Sequence, residues 1–385
     1  MLSKSITLKS FKKQKIKKIV NEKFEEIISN RNELIESLSK NYVDKYKINK
    51  IKKIVGKRNI RLIGMGGSIL GSQAIYNFLK HKIKKNFVFV DNLVSKKNKD
   101  KSKNINLIVS KSGNTLEAIV NTNFFLKKNE KSIFITENKK SYLRNLALKL
   151  KSEIIEHNNF IGGRYAVLSE VGMLPAELMG LDKNKFRQFD NLIKDKKFMN
   201  LLIQNTNSIL HLSSKKKFNS IILNYDKKSY SFLQWYQQLT AESLGKKGKG
   251  ILPIISSMPK DNHSVMQLYL DGFKNNFFTF FFCKEKNSDY ISKNELLSSH
   301  KYLGSYTSNE IIFNQKIATE KVFKKKSIPF RSFELNLRNE ETLGKLFCYF
   351  ILETILLGKC LKVNPFDQPS VDIIKTETKK LFYFK

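Results

Sequence analysis

Short apolar runs alternate with amphipathic stretches along the first half of the chain. Each run has the length of a strand, and three of the four precede a segment with helical spacing. Continuous apolar strands that alternate with helices are typical of a parallel sheet that is covered on both faces. The runs are residues 61–67, 86–92, 104–115 and 132–138.

A second series of such runs follows a polar helical region near residues 183–215. An amphipathic helix is predicted within 11–40, and an apolar segment, a turn and a final helix to about residue 381 end the chain. The sequence therefore predicts an α/β fold with two three-layer αβα domains, mainly parallel sheets, and N-terminal and C-terminal helices. The second series comprises residues 218–225, 250–255, 277–282 and 328–335. The predicted divisions are 1–45 for the N-terminal helical segment, 46–190 and 191–340 for the two α/β domains, and 341–385 for the C-terminal helices.

The net charge of the chain suggests a nucleic-acid partner, but the residue type that supplies the charge does not. The 385 residues include 71 Lys and Arg against 34 Asp and Glu, a formal charge of +37. Only eight of the basic residues are Arg, the side chain that provides bidentate contacts to bases and phosphates. Lys, Asn and Ile share A/T-rich codons, so codon bias also explains the excess. We therefore expect no nucleic-acid partner, and a nucleic-acid-binding protein stays an alternative supported by charge alone.

Cysteine content and hydropathy exclude several other classes. Three Cys without paired spacing argue against a disulfide framework and against a zinc site, so no metal is expected. No apolar run approaches the roughly 18 residues of a membrane span. The N-terminus lacks the apolar core of a secretory signal. These features predict a cytoplasmic protein with no membrane partner.

A glycine-rich loop occupies residues 63–71, where a predicted strand leads into a helix. Its glycines would let an anion or polar substrate approach the backbone. A dinucleotide fingerprint would need Gly where Ile69 stands, and the Walker pattern is absent, so no nucleotide cofactor is expected. A tight turn that only packs helix on sheet remains the structural alternative.

A hydroxyl-rich loop, Ser-Lys-Ser-Gly-Asn-Thr, follows another predicted strand. Ser110, Ser112 and Thr115 can donate to a phosphate monoester, and Lys111 adds charge at a helix start. An ordinary helix N-cap would use the same residue types. Since ligands of open α/β sheets bind at the carboxyl ends of the strands, the neighbouring glycine loop favours the phosphate site.

Four further residues stand in segments of unusual composition. Arg164 follows two glycines in a chain poor in Arg, and Glu242 lies in an apolar and amide-rich helix beside the only Trp. His263 lies in an Asp, Asn and Ser cluster at a helix start, and Lys375 lies within the final helix. A surface Arg, a solvated Glu, a structural His and a solvated Lys are the corresponding alternatives.

Six motifs occur in the order in which the phosphoglucose isomerase family has them, and the chain resembles that family from about residue 60 to residue 380. The resemblance implies two sugar-isomerase (SIS) domains, a homodimer with shared active sites, no cofactor, and interconversion of glucose 6-phosphate and fructose 6-phosphate. The motifs are GMGGSILG, SKSGNT, GGR, WYQQLTAESLGK, DNHSVMQLYLDG and NPFDQPSV.

The resemblance also implies a role for each matching residue. Glu242 would move the proton between C1 and C2, Arg164 would stabilise the enediolate, and Lys375 would assist ring opening. His263 would open the ring from the neighbouring subunit. The phosphate would be bound by Ser110, Lys111, Ser112 and Thr115, and the rest of the substrate would contact Gly67, Ser68 and Gln368. Two positions depart from the family pattern, Ser112 in place of Thr and Ser370 in place of Gly.

Two alternatives remain within this resemblance. One is an isomerase of broader range that accepts glucose and mannose 6-phosphates. The other is a SIS-domain sensor that binds phosphosugars without catalysis. A sensor would keep the residues from Ser110 to Thr115 but would not need Glu242, His263 and Lys375 together.

Overall fold

Ten strands form two sheets in the computed structural model, which describes residues 2–95, 104–126 and 131–383. Strands of five to eight mostly apolar residues form the centre of each sheet, as the apolar runs predict. The strands are β1 (Ile6–Lys9), β2 (Asn59–Ile63), β3 (Phe87–Val90), β4 (Asn104–Val109), β5 (Ser132–Thr136), β6 (Glu153–Glu156), β7 (Asn219–Asn224), β8 (Leu252–Ser257), β9 (Asn276–Cys283) and β10 (Phe330–Leu335).

Fifteen α-helices lie within the same ranges, with 3-10 turns at 66–68, 80–82, 163–168, 227–229, 260–263 and 298–305. They are α1 (Lys18–Ser29), α2 (Glu33–Glu36), α3 (Ile48–Val55), α4 (Leu70–Phe78), α5 (Leu116–Phe125), α6 (Tyr142–Lys149), α7 (Glu170–Leu178), α8 (Lys183–Phe186), α9 (Phe189–Leu192), α10 (Lys196–Ser214), α11 (Tyr230–Leu244), α12 (Met266–Asp271), α13 (Ser308–Lys325), α14 (Glu340–Cys360) and α15 (Pro369–Tyr383).

Four strands of each sheet share one topology, and the fifth strand differs. The first has the order β3-β2-β4-β5-β6 and is entirely parallel, and the second has the order β8-β7-β9-β10-β1 with only β1 antiparallel. In each sheet the first strand of the series lies between the second and the third. The strand order therefore reverses at β2/β4 and at β7/β9, the switch points where ligands of open α/β sheets bind. The predicted α/β fold with two mainly parallel sheets is confirmed.

Two buried helices connect the sheets. α11 packs against both α4 and α14, and nearly every residue of α14 is buried. Trp235 of α11 meets Phe347 of α14 edge-on at 4.7 Å between ring centroids. Asn77 of α4 donates to Ser231 Oγ of α11 at 2.7 Å. α11 thus carries one of its ends to each switch point.

Two strands were not expected from the sequence. Residues 6–9 form β1 on the edge of the second sheet, and the N-terminal helix predicted within 11–40 runs from Lys18 to Ser29. Ile6 and Leu8 are buried whereas Thr7 is not, a two-residue alternation too short to separate from a helix pattern. β6 is an edge strand with Glu at both ends, so it lacks the apolar run that marks the central strands.

None of the helices in the described ranges combines the length and apolarity needed to cross a bilayer.

Candidate active site

The glycine-rich loop ends β2 at the switch point of the first sheet. Gly66 has a φ of +53°, and a Cβ there would lie 2.8 Å from Nε2 of Gln238. At Gly67 a Cβ would lie 2.2 Å from the carbonyl carbon of Gly163. No side chain fits at Gly67, so the loop backbone lies directly against the Gly-Gly-Arg turn.

Arg164 is the centre of the site. It stands in the 163–168 turn, is 3% exposed, and is held by a hydrogen bond from Trp235 Nε1 to its carbonyl oxygen at 3.1 Å. All its guanidinium nitrogens donate. Nε donates to Ser243 Oγ (2.8 Å), Nη1 to Glu242 Oε1 (3.0 Å) and Gln368 Oε1 (2.8 Å), and Nη2 to the carbonyls of Pro365 (2.6 Å) and Asp367 (3.0 Å).

Glu242 lies in the last turn of α11 with both carboxylate oxygens engaged. Oε1 accepts from Arg164, and Oε2 accepts from Gln238 Nε2 at 2.9 Å. Its side chain is 24% exposed, so it is fixed in position but reachable from solvent. Since Gln238 also abuts Gly66, the glycine loop, Arg164, Glu242 and Gln368 form one contiguous cluster.

The hydroxyl-rich loop follows β4, the neighbour of β2. Ser110 and Thr115 are 3.0 Å apart at their hydroxyls, and Thr115 precedes α5 without capping it through its side chain. The Thr115 hydroxyl therefore does not act as the N-cap of α5, which was the structural alternative. Ser112 is exposed and accepts from the backbone N–H of Asn114 at 3.2 Å. The Lys111 ammonium group donates to the carbonyl of Asn159 at 2.8 Å, outside the loop.

Two predicted site residues make no hydrogen bond or ion pair with this cluster. His263 ends the 260–263 turn after β8, is exposed, and has no hydrogen bond or ion pair within the described residues. Lys375 on α15 is 67% exposed and pairs with Asp372 at 2.9 Å. Neither contacts Arg164 or Glu242 within the chain.

Sequence reasoning missed three residues that hold the cluster together. Gln238 precedes Glu242 by one helical turn, a spacing that could have identified it. Ser243 and Tyr165 adjoin Glu242 and Arg164 in the sequence. The Tyr165 hydroxyl is 2.8 Å from Ser243 Oγ and donates to the carbonyl of Pro365 at 3.0 Å, and burial raises the pKa of Tyr165.

The arrangement combines a fixed carboxylate, a guanidinium and a hydroxyl-rich loop at one switch point. A carboxylate can move a proton, a cation can stabilise an oxyanion, and hydroxyls at a helix start can bind a phosphate. Together with the two parallel sheets, these features define a phosphosugar isomerase of the SIS class.

The phosphoglucose isomerase family model matches residues 9–253, and the chain belongs to that family. It is 33% identical over 343 residues to the glucose-6-phosphate isomerase of Methanocaldococcus jannaschii, covering 84% of each chain. Its fold is similar to that of a hypothetical protein from Thermus thermophilus (TM-score 0.82, 22% identity, 94% of each chain). It is also similar to that of a glucose-6-phosphate isomerase from Chlamydia trachomatis (TM-score 0.75, 17% identity, 99% of this chain and 89% of that one). The family model ends at residue 253, so it does not reach His263, Gln368 or Lys375.

Proposed function

We propose that the chain interconverts D-glucose 6-phosphate and D-fructose 6-phosphate as an aldose–ketose isomerase. The observation that carries the proposal is the Glu242–Arg164–Gln368 cluster beside the hydroxyl-rich loop, in a chain of the phosphoglucose isomerase family. The reaction needs one group that removes a proton from carbon and another that stabilises the resulting charge. No cofactor is needed, because the proton leaves one carbon of the substrate and returns to the next.

The phosphate is assigned to the loop after β4. The hydroxyls of Ser110, Ser112 and Thr115 would donate to its oxygens, and the start of α5 adds backbone N–H groups. Lys111 would add charge after releasing the carbonyl of Asn159. Binding the phosphate supplies remote binding energy that holds the sugar in register for proton transfer.

Proton transfer is assigned to Glu242. Its carboxylate would take the C2 proton of the open-chain aldose and return it to C1, with a cis-enediolate between the two steps. Arg164 would stabilise the enediolate oxygen more strongly than the neutral carbonyl, which lowers the barrier. Gly67, Ser68 and Gln368 are proposed to contact the substrate around this pair.

Ring opening is assigned to His263 of a neighbouring subunit and to Lys375. Both side chains are exposed and neither bonds to the Arg164 cluster of its own chain, which supports a site completed in a homodimer. α15 supports this as well, because Ile373, Ile374 and Leu381 are 66%, 69% and 72% exposed and need an apolar partner. We place the enzyme in the cytoplasm as part of the same proposal.

Glu242→Gln tests the assignment of the base. The amide keeps the shape of the side chain and an oxygen that can accept from Arg164, but its NH2 group faces Gln238, whose own amide must flip to accept from it. The amide cannot accept the carbon-bound proton. We expect turnover in a coupled assay of fructose 6-phosphate conversion to fall by at least about 10²-fold, the usual contribution of general base catalysis, with sugar-phosphate binding retained.

The matched control is Glu25→Gln, because Glu25 is an exposed residue of α1 far along the chain from the site. It should keep the turnover of the unmodified chain. A near-normal rate for Glu242→Gln would contradict the assignment. An unmodified chain that binds sugar phosphate without converting it would favour the sensor instead.

A further inference from the structure

The second sheet has a switch point of its own, which the proposed reaction does not use. It lies between the carboxyl ends of β7 and β9, where the chain continues into residues 225–229 and 284–287. α11 begins here at Tyr230 and reaches the candidate active site at its other end. At 1.5 Å per residue the two ends of this helix are about 20 Å apart, so the two switch points are separate places.

A cavity of about 380 Å³ opens at this second switch point. Lys228, Lys284 and Lys286 form its exposed rim, and Arg338 lines it more deeply. Glu285 is the one carboxylate among the lining residues. Asp226, which pairs with Arg338 from behind the lining, is a second anion, and four cations against these two carboxylates still leave an excess of positive charge.

Arg338 is built into the cavity with unused donors. Its side chain is 7% exposed, and its guanidinium carbon lies 4.7 Å from the centre of the Phe78 ring. Nη2 pairs with Asp226 Oδ1 at 2.9 Å and Glu285 Oε1 at 2.5 Å. Nε and Nη1 are buried and have no hydrogen-bond partner. Buried donors are normally satisfied, so these two N–H groups call for an acceptor that the chain does not supply.

The N-terminus of α14 lies at the same wall, and the two carboxylates of its first turn, Glu340 and Glu341, are paired with Lys82 and Lys345. Asn339, which also lines the cavity, caps the N-terminus of the 21-residue helix α14 by accepting from Thr342 N at 2.9 Å. The positive end of a long helix dipole is therefore at the cavity wall. Partial burial, followed by the charges of Arg338, Lys82 and Lys228, lowers the pKa of His81 on the same wall.

We propose that this cavity binds a small phosphate-bearing anion, either free phosphate or a phosphate monoester. The phosphate oxygens would accept from Arg338 Nε and Nη1, and the ammonium groups of Lys228, Lys284 and Lys286 would neutralise the remaining charge. Glu285 stays on Arg338 and Lys228, as it is now. Each sheet would thus bind a phosphate at its switch point. The first would do so through hydroxyls and the second through cationic side chains.

Calorimetric titration with inorganic phosphate and with glycerol 3-phosphate tests the proposal. The unmodified chain should bind two equivalents per chain, one at each switch point. Ser112→Asp, which places a carboxylate in the first loop, should leave one. In that background Lys286→Glu should weaken the remaining site by about tenfold or more, because an attractive charge becomes a repulsive one.

Lys149→Glu is the matched control, since Lys149 is an exposed residue at the far end of α6 and makes the same change of net charge. It should leave the affinity within about twofold. Arg338→Lys keeps the charge but removes the paired donors, and should also weaken binding. If this variant fails to fold, the exposed Lys286 still decides the question.

Tighter binding of glycerol 3-phosphate than of phosphate would assign the site to a phosphorylated metabolite, and equal affinity would assign it to the free anion. The proposal is overturned if the Ser112→Asp chain binds neither probe, or if Lys286→Glu and Lys149→Glu weaken binding equally. If Ser112→Asp leaves both equivalents in place, the assignment of the first loop fails while the second site stands.

Discussion

At the scale of single residues, buried arginines such as Arg164 and Arg331 each donate hydrogen bonds to several acceptors. Arg164 serves five, and Arg331, which is fully buried, forms a bidentate pair with Glu353 and donates to Thr279 Oγ1 at 3.1 Å. A lysine could not replace either, because an ammonium has three donors and no planar fork. Among the described residues, Lys316 is the one lysine that is buried, against four arginines, Arg61, Arg164, Arg187 and Arg331.

His157 provides a prediction at the same scale. It is 1% exposed, its Nδ1 is 2.9 Å from the carbonyl oxygen of Asn158, and its Nε2 has no partner. Burial lowers the pKa of His157 from 6.5 to about 4. The folded chain therefore binds fewer protons than the unfolded chain between these values. The contribution of neutral His157 to the free energy of unfolding is complete above pH 6.5. About 3 kcal/mol of it is lost as the pH falls towards 4.

His157→Gln should remove this pH-dependent contribution to the free energy of unfolding. We expect the difference in free energy of unfolding between the unmodified chain and the variant to shrink by roughly 3 kcal/mol from pH 7 to pH 4, measured by urea titration at each pH. His300→Gln, the same substitution at an exposed position, is the control. Parallel pH profiles for the unmodified chain and His157→Gln would refute the prediction.

At the scale of elements, the close contact between the glycine loop and the Gly-Gly-Arg turn sets the position of Arg164. Gly67→Ala would place a Cβ 2.2 Å from the carbonyl carbon of Gly163 and 2.4 Å from the nitrogen of Arg164. The two backbones must move apart, and Glu242 moves with its partner. Because displacement by about 1 Å at a catalytic group can cost about 10²-fold, we expect a loss of that order in kcat/KM.

Gly162→Ala is the matched control for this contact. Its Cβ would meet only Tyr165 Cδ2, at an ordinary 3.6 Å, so activity should be kept. Thermal unfolding of both variants shows whether the chain still folds. Equal activity of Gly67→Ala and Gly162→Ala would mean that the contact does not position Arg164.

Central strands and edge strands differ in what the sequence says about them. β4 and β9 are buried along their whole length, and such apolar runs could be predicted because both faces of the sheet are covered. β1 and β6 are edge strands without an apolar run, and their pairing depends on tertiary contacts, whereas the other two edge strands, β3 and β8, keep apolar runs and could be predicted. The site divides in the same way. The motif residues could be identified, whereas the contacts of Arg164 with Pro365 and Gln368 depend on how the chain after α14 returns to the site.

At the scale of the whole molecule, the proposed site residues of one chain divide into a packed group and an exposed group. Arg164 and Glu242 are packed at the first switch point, whereas His263 and Lys375 are exposed. Ile373, Ile374 and Leu381 leave α15 with an apolar surface that water covers in the single chain. A twofold dimer would bury such surfaces and bring residues of one chain to the site of the other. The sharing of sites can be measured directly.

Mixing two inactive variants tests whether the site is shared. In a heterodimer of His263→Ala with Glu242→Gln, one site combines the intact Glu242 of the first chain with the intact His263 of the second, and the other site lacks both. Random pairing makes half of the dimers mixed, so co-refolded chains should recover about a quarter of the unmodified activity. Each variant refolded alone is the control. If both groups act within one chain, every site in the mixture carries one defect, and no ratio of the two variants exceeds the activity of the better parent.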